Sequence, residues 1–165
     1  MAQTASAVTG LFMGFLTDPV TGVNSAIASA ALDAGVPLSP IPAAHIVAQN
    51  MAIDIFERAA VVKYPVIQVY SDRVRNLLTE KFRTFSGKVR TVAQISVSQD
   101  RIEGTEVQTR LYVDAVTQVL DENRGSWGQG AFYTGGYEVI FDPVKQGGRN
   151  FLQVAKVTFE VDMSA

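Results

Sequence analysis

The chain has 165 residues, of which 47% are hydrophobic and 18% charged, a balance typical of one folded domain and not of a disordered protein. Its net charge of -2 gives no overall attraction to nucleic acid or to an anionic membrane. It has no cysteine and one histidine, His45, which excludes disulfides, thiolate metal sites and any site that needs two imidazoles from one chain.

The first fifty residues carry only two charged side chains, Asp18 and Asp33. We expect residues 1–10 to form a flexible arm of small residues. The apolar run at residues 11–16 is too short to span a bilayer and has no basic face, so we expect no membrane contact. Such a segment needs a surface to cover it, and we predict an apolar arm that packs on a neighbouring subunit.

A helix is predicted for residues 19–34. Asp18 and Pro19 are typical of a helix start, and Gly35 is typical of a helix end. Residues 36–42 contain three prolines and should be an extended connector. Residues 43–62 have a pattern that suits either a helix or strands, and we treat residues 1–60 as an assembly extension that precedes a core domain at 61–165.

The core domain should contain about four strands. Alternation predicts strands at residues 64–70, 89–98, 137–141 and 151–161. Residues 72–82 should form a short helix or a turn, and residues 142–150 a loop. An apolar stripe over residues 103–123 predicts one long helix. The predicted fold class is therefore α+β, an antiparallel or mixed sheet of about four strands with this helix packed on one face. The expected core comprises Val66, Val69, Ile95, Val97, Leu111, Ala115, Val119, Val139, Phe141, Val157, Phe159 and Val161.

Four features could carry chemistry, and each has a structural alternative. His45 lacks a Ser or Asp partner at a useful spacing, so a capping or core role is favoured over a general base. The glycine-rich segment 125–136 follows a helix and precedes a strand, the reverse of a phosphate loop. It could be a local turn, or a loop that uses its aromatic residues to dock on an adjacent subunit. The acidic residues at 100–106 could form a metal or acid/base site, although favourable charge at a helix N-terminus is sufficient to explain them. The basic residues at 73–90 could face DNA phosphates, although a solvated face is favoured.

The order of these elements resembles the tail terminator or head-to-tail joining (neck) proteins of tailed bacteriophages. The resemblance covers residues 60–165 and rests on Tyr64-Pro-Val-Ile-Gln-Val-Tyr70, the strand into Ser96-Val-Ser-Gln-Asp-Arg101, Tyr112-Val-Asp-Ala-Val116, Gly136-Tyr-Glu-Val139 and Asn150-Phe-Leu-Gln-Val-Ala-Lys156. It implies a virion structural protein, assembled in the host cytoplasm, that forms a ring, usually a hexamer, at the head–tail junction. The ring would end the tail tube, dock to connector, adaptor or stopper proteins and pass DNA without sequence specificity.

The resemblance implies no enzymatic activity, no cofactor and no metal. A tail tube subunit or a head completion protein is the alternative. The candidate subunit contacts are Leu11, Phe12, Phe15, Leu16, Trp127, Phe132 and Tyr133. The candidate residues of a DNA channel are Arg83, Lys88 and Arg90.

Overall fold

A computed structural model describes residues 2–51, 64–147 and 150–165. Its helices are α1 (Ala2–Thr17), α2 (Val23–Ala34) and α3 (Thr105–Glu122), with a 3-10 turn at Ala43–His45. Its strands are β1 (Ile46–Val47), β2 (Val66–Asn76), β3 (Ser86–Gln99), β4 (Gly125–Gly128), β5 (Ala131–Tyr133), β6 (Tyr137–Phe141), β7 (Lys145–Gly147) and β8 (Asn150–Ser164).

The eight described strands form one curled, mixed sheet. The main order is β1-β2-β3-β8-β5-β4, and β6 and β7 pair with β8 on the same side as β5. Only the β1–β2 pair is parallel. The predicted fold class, about four strands with one long helix, is therefore wrong: the described residues form eight strands and three helices. The helix predicted for residues 103–123 is present as α3, but it shares the core with α1, which also packs on the sheet, and with α2, which packs on α3.

The N-terminal segment is a helix and not a flexible arm. Val8, Phe12 and Leu16 recur every four residues, so they form one stripe along α1, and all three are fully buried. Burial of each such side chain stabilises the fold by about 1.5–3 kcal/mol. The helix ends at Thr17 because a residue that precedes proline, here Asp18, disfavours the helical conformation.

The helix predicted for residues 19–34 begins later, at Val23, and ends at Ala34 as predicted. Asp18 caps the turn between α1 and α2, since its Oδ1 accepts the N–H groups of Val20 and Thr21 at 2.8 and 2.9 Å. These two hydrogen bonds hold the pKa of the Asp18 carboxyl below its ordinary value. Gly35 ends α2 in the left-handed conformation, with φ of 64°.

An aromatic cluster fixes α1 to the sheet. The ring of Phe12 lies 4.8 Å from that of Phe159 and 6.1 Å from that of Trp127, measured between centroids. Trp127 also contacts Phe15 and Tyr133, at 5.1 and 5.4 Å. Trp127 Nε1 donates to the carbonyl oxygen of Asn123 at 2.6 Å, which ties the β4–β5 hairpin to the end of α3. The glycine-rich segment is thus a local structure that helps to hold α1.

Most of the predicted core is confirmed. Val69, Ile95, Val97, Ala115, Val119, Val157, Phe159 and Val161 lie in one cluster with residues of α1 and α2. Both predicted parts of the chain therefore supply this core, although residues 52–60 of the first part lie outside the described residues. Phe141 is wrong as a core residue, because 42% of its surface is exposed. Val66 is buried, but it lies outside this cluster.

Strand β2 is longer than predicted and contains a bulge. The expected helix or turn at residues 72–82 is wrong for residues 72–76, which belong to a strand that pairs with β3 on both sides of the bulge, whereas residues 77–82 lie in the loop between β2 and β3. The pairing shifts between Ser71 and Arg73, which makes Asp72 an extra residue in the ladder. Beyond the bulge Val74 pairs with Val89 on the core face, while Arg73 and Arg75 point to the opposite face.

Candidate assembly surfaces

The residues predicted to line a DNA channel lie on or beside the face of the sheet that points away from the helices, and each has an acidic partner. Arg90 donates to Asp72 through two hydrogen bonds, Nε to Oδ1 at 2.7 Å and Nη2 to Oδ2 at 2.6 Å. This bidentate contact lowers the pKa of the Asp72 carboxyl and raises that of the Arg90 guanidinium. The bulge in β2 therefore places a carboxylate against Arg90.

Lys88 and Arg83 also have acidic partners, although neither contact is bidentate. Lys88 Nζ lies 2.9 Å from Asp162 Oδ1 and 4.0 Å from Glu160 Oε2, and the hydrogen bond to Asp162 raises the pKa of Lys88. Arg83 lies 3.6 Å from Glu80. Because phosphate binding needs cations that are free to replace counterions, these three residues do not form an unopposed basic surface.

Two arginines of the basic stretch remain without such a partner. Arg73 and Arg75 follow the bulge in β2, both are exposed, and the ion pairs of the described residues include neither. They lie on the outer strand of the sheet in this region, since β1 pairs only with Ile67 and Gln68.

The predicted subunit contacts divide into a large buried group and one exposed residue. The buried group consists of Phe12, Leu16, Trp127 and Tyr133, whose side chains are at most 7% exposed, with Leu11 and Phe15 packed against them. Burial raises the pKa of Tyr133 to about 12. The prediction that these residues contact a neighbouring subunit is wrong for this buried group, because its members pack in the core of their own chain. Phe132 alone is half exposed, and its role as a contact stays a prediction.

A first uncovered apolar surface is the loop of residues 77–85, between β2 and β3. Leu77, Leu78 and Phe82 are exposed by 47%, 63% and 103%. Leu78 and Phe82 have φ of 49° and 67°, a region that is unfavourable for residues other than glycine. Strain of this kind is concentrated at functional sites.

This strained conformation is held by its flanks. Asn76 accepts from the backbone N–H groups of Leu78 and Ser86 through Oδ1, at 3.3 and 3.1 Å, and donates to the carbonyl oxygen of Thr84. The backbone N–H groups of Thr84 and Phe85 both donate to the carbonyl oxygen of Ala165, at 2.9 Å. The loop therefore presents its apolar residues on a fixed support.

A second uncovered apolar surface is strand β6. One side of β6 pairs with residues 155–159 of β8, and no described strand pairs with the other side. Tyr137, Ile140 and Phe141 are exposed by 41%, 51% and 42%, so apolar side chains are exposed on both faces of this edge strand. An exposed apolar edge is a template for another strand.

Sequence reasoning located β6 but misplaced its role. Tyr137, Val139 and Phe141 alternate as a half-buried strand does, and the pattern alone assigns them to the core. In the fold only Val139 packs, in part, on the core. The signal in the sequence that this strand is apolar on both sides is the apolar residue Ile140, which alternation places on the opposite face.

The described residues contain no group of three His, Asp or Glu side chains that could hold a metal ion. His45 ends the 3-10 turn, and its buried Nδ1 has no hydrogen-bond partner among the described residues. Among the described helices, none has both the length and the hydropathy required to cross a bilayer.

Comparison with models of known protein families and with curated proteins finds no match for this chain.

Proposed function

We propose that this chain is a structural subunit of a tailed-phage virion, and that its copies form a ring at the head–tail junction. The ring ends the tail tube and joins it to the connector. One observation carries the proposal: the apolar surface that the chain leaves uncovered includes a strained loop and an open sheet edge. The resemblance of residues 60–165 to tail terminator and neck proteins supports the assignment of this self-associating subunit to the head–tail junction.

The loop of residues 77–85 suits a contact between stacked rings. It connects the two strands of the longest hairpin of the described sheet, so it lies at one end of these strands. Phe82, fully exposed, is its anchor. Large aromatic residues supply much of the binding energy at protein interfaces. We assign this loop to the tail tube protein or to the connector, adaptor or stopper protein.

The charges of the outer sheet face suit a wall past which DNA moves. Lys88 and Arg90 each face a carboxylate, so this surface alternates in sign and offers few cations for phosphate. Such a lumen would bind DNA only weakly and would make no sequence-specific contacts with it. The proposed role is non-enzymatic and its location is the virion.

Immunogold labelling of virions that contain this chain tests the proposal. We expect label at the junction between head and tail, and an unrelated antibody is the control. Label along the whole tail would instead identify a tail tube subunit, and label inside the head shell would identify a head completion protein. Either outcome, or particles without the chain, would contradict a neck position.

A further inference from the structure

We propose that the open edge of β6 pairs with the open edge of β2 from the next copy of the chain, so that the sheets of neighbouring subunits are continuous. The pairing uses residues 137–140 of one copy and residues 73–76 of the other. This inference rests on the proposed ring, and it names the surface that closes that ring.

The two edges lie on opposite sides of one sheet. From β2 the order runs through β3 and β8 to β6. Beyond residue 68 no described strand pairs with the outer side of β2, and none pairs with the outer side of β6. A contact between two different edges is head-to-tail, and repetition of such a contact gives a closed ring where the rotation closes and an open filament where it does not.

The strand directions fit this contact. β2, β3, β8 and β6 are each antiparallel to the next, so β6 runs opposite to β2 within one copy. A rotation that carries one subunit to its neighbour and keeps the strands roughly aligned therefore places β6 antiparallel to the neighbour's β2.

The charges of Arg75 and Glu138 favour one register of the proposed pairing between β2 and β6. Arg75 pairs with Lys88 and Glu138 with Thr158, and the pairing of β3 with β8 places all four on the outer face. No ion pair of the described residues includes Arg75 or Glu138. If Arg75 lies opposite Glu138, each gains an opposite charge.

The same register satisfies the core face. Val74 of one copy then lies opposite Val139 of the next, two apolar residues whose side chains point to the helix side of the sheet. Arg73 lies opposite Ile140, and the bulge at Asp72 stays outside the paired segment. Opposed side chains of antiparallel strands interact directly, so the Val74–Val139 and Arg75–Glu138 pairs contribute to the contact.

Disulfide trapping tests the pairing, because the chain has no cysteine of its own. The double variant Arg73→Cys/Ile140→Cys replaces two exposed residues that the register places opposite each other. Oxidation at high protein concentration should give a ladder of covalent oligomers that ends at a closed ring. The single variants Arg73→Cys and Ile140→Cys are the controls and should remain monomeric on denaturing gels.

Two outcomes would overturn the proposal: a double variant with no more covalent product than the single variants, or covalent dimers of Ile140→Cys alone, which would mean that β6 pairs with itself. A disulfide within one copy is excluded, since three strand spacings, about 14 Å, separate β2 from β6 and a disulfide needs Cα atoms within about 7 Å. If rings form but the double variant gives no disulfide between copies, the proposed pairing of β6 with β2 is wrong and the proposed ring is not contradicted. If no assembly forms on tail tubes at all, the proposed function itself is contradicted.

Discussion

Helix α1 and strand β6 are both short apolar segments, and the fold treats them in opposite ways. The apolar stripe of α1 is covered by the sheet and by Trp127, with Phe12 fully buried. Strand β6 has a partner on one side only, and Ile140 and Phe141 remain exposed. Apolar character alone therefore does not identify an assembly surface. What matters is whether the rest of the chain supplies a partner.

Removal of residues 1–17 should have the largest effect on stability. It takes Val8, Phe12 and Leu16 out of the core together, and it opens the aromatic cluster around Trp127. We expect loss of the cooperative unfolding transition, measured by circular dichroism. A truncated chain that unfolds cooperatively near the wild-type temperature would restore the idea of a separable arm.

A matched pair of phenylalanines sharpens the comparison. Phe12→Ala should lower the free energy of unfolding by about 3–5 kcal/mol, because it leaves a cavity in a packed core. Phe82→Ala removes the same atoms from an exposed loop and should change that free energy by at most about 0.5 kcal/mol. Denaturant titration measures both. Equal losses would mean that the loop packs on its own chain.

Exchange of charge should affect assembly and leave stability unchanged. Arg75→Glu and Glu138→Arg each place two like charges opposite each other in the proposed pairing, and each should weaken self-association several-fold, a loss of about 1 kcal/mol. The double variant restores the attraction with reversed sign and should associate as the wild type does. Sedimentation velocity measures the association. A double variant as weak as the single variants would count against this register.

The smallest effect is expected at Asp72, and it depends on pH. Its carboxyl pKa is lowered in the folded state by Arg90, so its contribution is present above the ordinary carboxyl range and is lost as pH falls through the folded-state pKa. Asp72→Asn should therefore be slightly less stable than the wild type at neutral pH. The difference should begin to shrink as pH falls below about 4 and should vanish only below the lowered folded-state pKa of Asp72. Thermal unfolding at several pH values measures it, and a difference that does not depend on pH would exclude this ion pair as the cause.

Local patterns predicted the parts of the fold that depend on one segment at a time. Strand β6, the end of α2 at Gly35 and most of the core positions followed from alternation, helical spacing and capping residues. The fate of residues 1–16 depended on a partner more than a hundred residues away, Trp127, which no local pattern reveals. The bulge at Asp72 shifts the alternation of β2 by one residue, so residues 73–76 were not recognised as strand.

The candidate surface was less predictable than the fold. Arg83, Lys88 and Arg90 form a basic run in the sequence, but their acidic partners include residues of β8, far away in the chain. Conversely, Arg73 and Arg75 stand out only when the pairing of the strands is known. The sequence pattern locates apolar and charged segments, whereas the pairing of the strands determines which of these segments contact each other.

Electron microscopy of the purified protein tests the central claim most directly, with the chain imaged alone at high concentration and together with tail tubes. We predict closed rings with a lumen, either free or on the ends of the tubes, for the wild type, and fewer of them at the same concentration in Glu138→Arg at unchanged stability. Single globular particles in both preparations of the wild type would contradict the account.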